Sequence, residues 1–119
     1  MIKLKRAYED YEPSDGYRIL VDRLWPRGIS KEEAKIDEWV KEIAPSTELR
    51  KWFEHEDPKW PEFREKYFEE LKNEEPLVHE IMEKQKNRTV TFVYAAKDEL
   101  YNNAVALKEY IDALESKSV

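Results

Sequence analysis

The sequence predicts an α/β protein, with a small, mostly parallel three-stranded sheet and helices packed on its faces. Three observations predict it. The apolar run Ile19-Leu20-Val21 lies between turn signals, as in a strand buried on both faces. A second run, T-V-T-F-V-Y-A-A at 89–96, is β-branched and aromatic before it turns wholly apolar. Between them, residues 25–88 carry helical periodicity with capping residues, and a long helical crossover joins two buried strands in parallel. At 119 residues the chain is expected to form one domain over 1–119, with one core.

The elements follow in order. Residues 2–6 alternate apolar and basic, which predicts a strand with one exposed face; its sense is left open by a connection of only about a dozen residues. Pro13, Ser14, Asp15 and Gly16 mark a turn, and the 17–24 strand follows. Ser30 and Glu33 form a capping box ahead of a short helical turn. Asp37 is expected to cap a short helix carrying Trp39, Val40 and Ile43, and Ser46 the next, carrying Leu49, Trp52 and Phe53. Asp57-Pro58 starts a helix whose inward stripe is Trp60, Phe63, Tyr67 and Leu71. Asn73, with Glu74 and Glu75 in the first turn, starts another through Leu77 and Ile81. After the 89–96 strand, Asp98 is expected to cap a final helix through Val105, Leu107, Tyr110, Ile111 and Leu114. The predicted core includes Leu20, Phe63, Tyr67, Val93, Leu107 and Ile111.

Composition narrows the function. Four Trp, seven Tyr and four Phe supply ample burial for a folded chain. Zero cysteines remove disulfides, thiolate nucleophiles and thiolate metal sites. No membrane-length apolar stretch occurs and the N-terminal residues have no signal-peptide apolar region, so a cytoplasmic location is expected. Net charge is −6, distributed as +2 over residues 1–31, −7 over 32–87 and −1 over 88–119. That acidity argues against nucleic acid as a partner. Abundant Glu and Lys, with Gln85 the only glutamine, lean toward a thermophilic source. Oligomeric state is left open.

Ligands bind beyond the carboxyl ends of parallel strands. If the 17–24 and 89–96 strands are parallel neighbours, that edge gathers Asp22, Arg23, Trp25 and Arg27 with Tyr94, Lys97, Asn102 and Asn103. Arginine matches carboxylate or phosphate with a planar fork, lysine supplies a point charge, and asparagine offers both donor and acceptor. The expected ligand is a small anion, with Arg23 and Arg27 as clamp and Asp22 as the candidate acid/base or orienting group. A structural reading stands beside it. Asp22 can pair with Arg23, Arg27 or Lys97, Trp25-Pro26 can form a rigid packed turn with a cis or trans bond, and Asp98 can serve only as a helix cap. Asn102 and Asn103 have no evident capping role. His55, Glu56 and Asp57 are adjacent and cannot easily converge on a metal, and His79 lies on a polar helix face. No phosphate-binding glycine loop, Ser-His-Asp order or metal spacing is present, so no cofactor or metal is expected. The alternative function is a non-catalytic interaction or regulatory module that uses the acidic helical middle, which exposed Trp39, Trp52 or Trp60 would favour.

Three segments, D-G-Y-R-I-L-V-D-R-L-W-P-R-G at 15–28, A-P-S-T-E-L-R-K-W-F at 44–53 and V-Y-A-A-K-D at 93–98, resemble the YeaO-like family, part of domain of unknown function 488. The resemblance covers nearly the whole chain, and the family has no settled activity. His55, in the turn after Trp52-Phe53, lies in a segment that is similar to the family's W-F-H-D-P pattern. Longer relatives resemble rhodanese-like and phosphatase-like sheets that carry a cysteine in the loop after the last strand. The matching loop here, residues 95–103, has none, so the resemblance implies no thiol chemistry. Family members often carry His where Tyr101 stands, so a His-based proton transfer at that position is not implied for this chain.

Overall fold

The computed structural model describes residues 1–117. Its nine main elements are β1 (Ile2–Arg6), β2 (Tyr17–Leu20), α1 (Lys31–Ala34), β3 (Glu38–Trp39), α2 (Thr47–Phe53), α3 (Trp60–Leu71), α4 (Glu75–Asn87), β4 (Val90–Tyr94) and α5 (Asn103–Lys117). The sheet has four strands, one more than expected, in the order β1-β4-β2-β3, and every pairing is parallel. β1, whose sense the sequence leaves open, pairs with β4 over Ile2↔Val90 to Arg6↔Tyr94. β2 pairs with the other side of β4 over Tyr17↔Val90 to Leu20↔Val93, as expected for parallel neighbours.

The added strand corrects the helix expected after Asp37. Asp37 caps no helix; its carboxylate accepts the amide of Arg18 at 2.8 Å, and its own amide donates to the Arg18 carbonyl. The chain is thereby laid alongside β2, so Glu38 and Trp39 pair with Ile19 and Leu20. Two further expected starts shift. A 3-10 turn over Asp57–Lys59 precedes α3, and another over Lys72–Glu74 precedes α4.

β4 is buried at every position because it is central and covered on both faces. Val90, Phe92 and Tyr94 belong to the large core with Phe63, Tyr67, Val78, Ile81, Leu107 and Ile111. Val93 points to the other face, where it forms a small cluster with Leu20 and Ala7, covered by Trp25, Ile36 and Trp39. All six residues predicted for the core are buried.

The opposite end of the sheet is held by charge. Arg18 is only 1% exposed and donates to Asp15 at 2.7 Å, to Ala34 O at 2.8 Å and to Lys35 O at 3.2 Å. Lys5 reaches Asp15 at 3.2 Å and Glu12 at 2.8 Å. Burial alone raises the Asp15 carboxyl. The Glu12 amide and the hydrogen bonds from Lys5 and Arg18 outweigh it and hold the carboxyl below its ordinary value. The turn that carries Asp15 closes through Gly16 at φ 64°, where an added Cβ would overlap the Thr89 carbonyl oxygen.

Candidate functional site

β2 ends at Leu20, and the Val21 amide still bonds to Val93 O at 3.1 Å, so Asp22 emerges at the carboxyl edge beside β4. There Asp22 Oδ2 accepts the Ala95 amide at 2.9 Å and Oδ1 accepts Asn103 Nδ2 at 3.0 Å. Asn103 also donates to Val21 O at 3.0 Å, tying the first turn of α5 to the end of β2. From the other side Arg6 donates to Ala96 O at 2.9 Å and Ala95 O at 3.4 Å. The loop after β4 is therefore gripped by its amide through Asp22 and by its carbonyls through Arg6.

A cavity of about 630 Å³ opens on this edge, within the ordinary size of a small-molecule site. Asp22, Asn103, Ala95 and Ala96 line it at the sheet edge, and Leu24, Trp25, Pro26, Arg27 and Tyr8 form one wall. The facing wall is Ala44, Pro45, Arg50, Phe53, His55 and Phe63, with Lys97 and Asp98 completing the lining. Five of the seven predicted site residues besides Asp22 are thus placed with it: Arg23, Trp25, Arg27, Lys97 and Asn103.

Tyr94 and Asn102 are not brought to the cavity. Tyr94 is directed into the large core by strand alternation. Asn102 is buried and does have a capping role, contrary to expectation. Its Oδ1 accepts the Val105 amide at 3.0 Å, its carbonyl receives the Ala106 amide, and its Nδ2 donates to Asp98 O at 2.8 Å. Asp98 caps the preceding turn through the Leu100 and Tyr101 amides rather than α5 itself. Those two amides hold its carboxyl below the usual value.

The expected pairing of Asp22 with a cation is also absent among the described residues. Arg23 turns away and donates to Ala44 O at 3.0 Å and Pro45 O at 3.2 Å. That loop is fixed in turn from α3: Tyr67 donates to Ile43 O at 2.6 Å, and Glu70 accepts the Ser46 amide and hydroxyl. Ser46 then caps α2, which carries Arg50 and Phe53 to the cavity. Burial raises the Asp22 carboxyl. The Ala95 and Asn103 hydrogen bonds, and the charges of Arg50 and His55, act in the opposite direction without cancelling it.

Trp25 combines both readings. It lines the cavity, and its Nε1 donates to Ile29 O at 2.8 Å while its ring meets Trp39 edge-on at 5.5 Å. The bond to Pro26 is trans. Sequence reasoning places Arg50 as a candidate for the pocket rim, and it does line the cavity; His55 is the lining residue it missed. Glu54 and His55 both adopt left-handed backbone, at φ 46° and 55°, and this tight reversal after α2 turns His55 back to the cavity. The tryptophans of the acidic middle are covered in part by the chain itself. Lys41 lies over Trp39, Lys59 and Lys66 flank Trp52, and Trp60 stacks on Phe63 and Tyr101.

No group of three or more His, Cys, Asp or Glu suited to a metal occurs among the described residues, and no helix there is long and apolar enough to cross a membrane. No solved structure matches the chain. A family model described as the inactive DUF488-N3 subclade matches residues 1–118. The chain is similar to the uncharacterized protein YeaO of Escherichia coli (strain K12), with 47% identity over 113 residues, 95% of this chain and 98% of that one. It is similar also to the uncharacterized protein Rv3073c of Mycobacterium tuberculosis, with 37% identity over 111 residues and 93% of each chain. With the family model spanning residues 1–118 and the Escherichia coli relative covering 95% of the chain, the chain belongs to the YeaO-like family of domain of unknown function 488.

Proposed function

We propose that the carboxyl-edge cavity binds a small organic anion and holds it without transforming it. One observation carries this reading. Arg27, Arg50 and Lys97 are exposed, line one cavity, and make no ion pair or side-chain hydrogen bond among the described residues, in a chain with net charge −6. Acids are in excess, and nine other lysines and arginines are ion-paired. Three unpaired cations around one concavity are an anion's complement. Asp22 acts as orienter, since its two hydrogen bonds fix both the loop after β4 and the start of α5. The description of the family as inactive and the absence of cysteine from residues 95–103 support binding without turnover.

Thermal melts with phosphate, sulfate or chloride at matched ionic strength test the reading. Phosphate or sulfate is expected to raise the melting temperature by several degrees at saturation, because a ligand at about 100 times its Kd stabilises by roughly 2.7 kcal/mol. Arg27→Ala and Lys97→Ala should each shrink that rise. Equal melting in all three salts would overturn the proposal.

A further inference from the structure

The cavity is lined by charges of both signs, and the anion accounts for only one. Arg27, Arg50 and Lys97 are exposed, whereas Asp22 is half-buried at the sheet edge. A carboxylate has about four acceptor positions. The two hydrogen-bond partners of Asp22, the Ala95 amide and the Asn103 side chain, are neutral donors and fill two of them. The adjacent Arg23 is committed to the Ala44 and Pro45 carbonyls. The other carboxylate of the lining, Asp98, already accepts two amides on one oxygen. Trp25, Pro26, Phe53 and Phe63 supply apolar lining to the same cavity.

A purely anionic ligand leaves this geometry mismatched. Held by the cations, it places negative charge in the same concavity as Asp22, on which Arg50 and His55 act only through space, and leaves that carboxylate with no charged donor. A partly buried charge is poorly stabilised without an opposite charge or further hydrogen bonds. Building on the anion-binding reading above, we infer that the natural ligand is two-ended: its acidic group meets Arg27, Arg50 and Lys97, a protonated amine meets Asp22, and a short hydrocarbon body lies against the aromatic lining. Such a molecule complements both signs of charge in the cavity lining.

Three matched probe series test this by calorimetry: ω-aminoalkyl, ω-hydroxyalkyl and plain alkyl phosphates of two to four carbons, with inorganic phosphate as reference. At the best-fitting length the amine should bind about tenfold or more tighter than its hydroxyl and methyl counterparts, the scale of one charge-assisted hydrogen bond. Asp22→Asn should erase that preference. Arg27→Ala should weaken all three series alike and leave their ranking intact. Phosphate binding with equal affinity for all three series would overturn the two-ended ligand while leaving the anion site standing. No binding of any probe, phosphate included, would remove both. A preference that survives in Asp22→Asn would place the amine elsewhere and overturn the assignment. The ranking within the unmutated protein decides the matter even where the Asp22 variant fails to fold.

Discussion

Asn103 and Asp22, 81 residues apart in sequence, meet at 3.0 Å across the carboxyl edge of the sheet. The contact joins the first turn of α5 to the loop after β2, and Asp22 closes the arrangement by accepting the Ala95 amide. Asp22 therefore combines an architectural role with a position on the cavity wall, and the two roles respond differently to substitution.

Burial raises the Asp22 carboxyl above its ordinary value of 3.8. An acid whose folded-state pKa is raised costs stability when ionised. That cost is present above the folded pKa, fades as pH falls through it, and is gone below the unfolded value. Asp22→Asn removes the cost and keeps an acceptor for one of the two donors. Relative to the parent, the variant should be more stable at pH 7 than at pH 4, with any loss at pH 7 held to about 1 kcal/mol. Urea midpoints at the two pH values measure this. A variant more damaged at neutral pH than in acid would mean that the carboxylate is chiefly a stabilising brace.

Arg23 and Arg27 should separate cleanly. Arg23→Ala strips charged hydrogen bonds from the Ala44 and Pro45 carbonyls, at a cost of roughly 1–3 kcal/mol. Arg27 offers only its backbone carbonyl, to the Tyr8 hydroxyl, so Arg27→Ala should leave stability within about 1 kcal/mol. Denaturant titration of both variants tests the contrast, and equal losses would contradict it.

The parts legible in the sequence were those with a repeating signal. The runs around Leu20 and Val93 announced β2 and β4, and from their parallel pairing came the shared edge of Asp22, Lys97 and Asn103. β3 is two residues long and shows no period; a single side-chain acceptor, Asp37, creates it by bonding the Arg18 amide. His55 was missed because its place depends on a left-handed reversal built from ordinary residues, where sequence reading expects glycine. Asn102 was misjudged because entry into α5 takes two caps in series, Asp98 then Asn102. Asparagine is among the strongest N-caps, and that preference was the available signal.

The Asp15–Arg18 pair should govern acid stability. Arg18 is almost wholly enclosed, so Asp15→Ala takes away its carboxylate partner and should cost about 3–5 kcal/mol at neutral pH. The Asp15 carboxyl is held below its ordinary value of 3.8, so its contribution is complete above that pH and is lost as pH falls through the folded-state value. The gap between parent and variant should therefore narrow below about pH 4, as followed by urea midpoints. A gap independent of pH would show that packing, not charge, dominates there.

Leu107→Ala and Phe63→Ala should each cost roughly 2–5 kcal/mol, since both side chains are buried in the large core. Phe63 also lines the cavity, so its truncation should weaken phosphate binding, whereas Leu107→Ala should leave the affinity of the folded fraction unchanged. Calorimetric titration below the melting temperature separates the two effects.

The reversal after α2 gives the last test. Glu54 sits at φ 46°, and a left-handed non-glycine residue costs roughly 1–2 kcal/mol. Glycine adopts that conformation freely but gives up about 0.5–1 kcal/mol of chain entropy on folding. Glu54→Gly should therefore stabilise the protein slightly, by up to about 1 kcal/mol. Lys51→Gly, three residues earlier within α2, should instead destabilise it by about 1 kcal/mol, because its backbone is helical. The same replacement with opposite signs isolates backbone strain from side-chain loss. His55 is positioned by this reversal, so the looser hinge in Glu54→Gly should also weaken phosphate binding despite the higher melting temperature. A destabilised Glu54→Gly would locate the stability of the turn in the Glu54 side chain. Tighter phosphate binding would show that the reversal holds His55 away from the ligand.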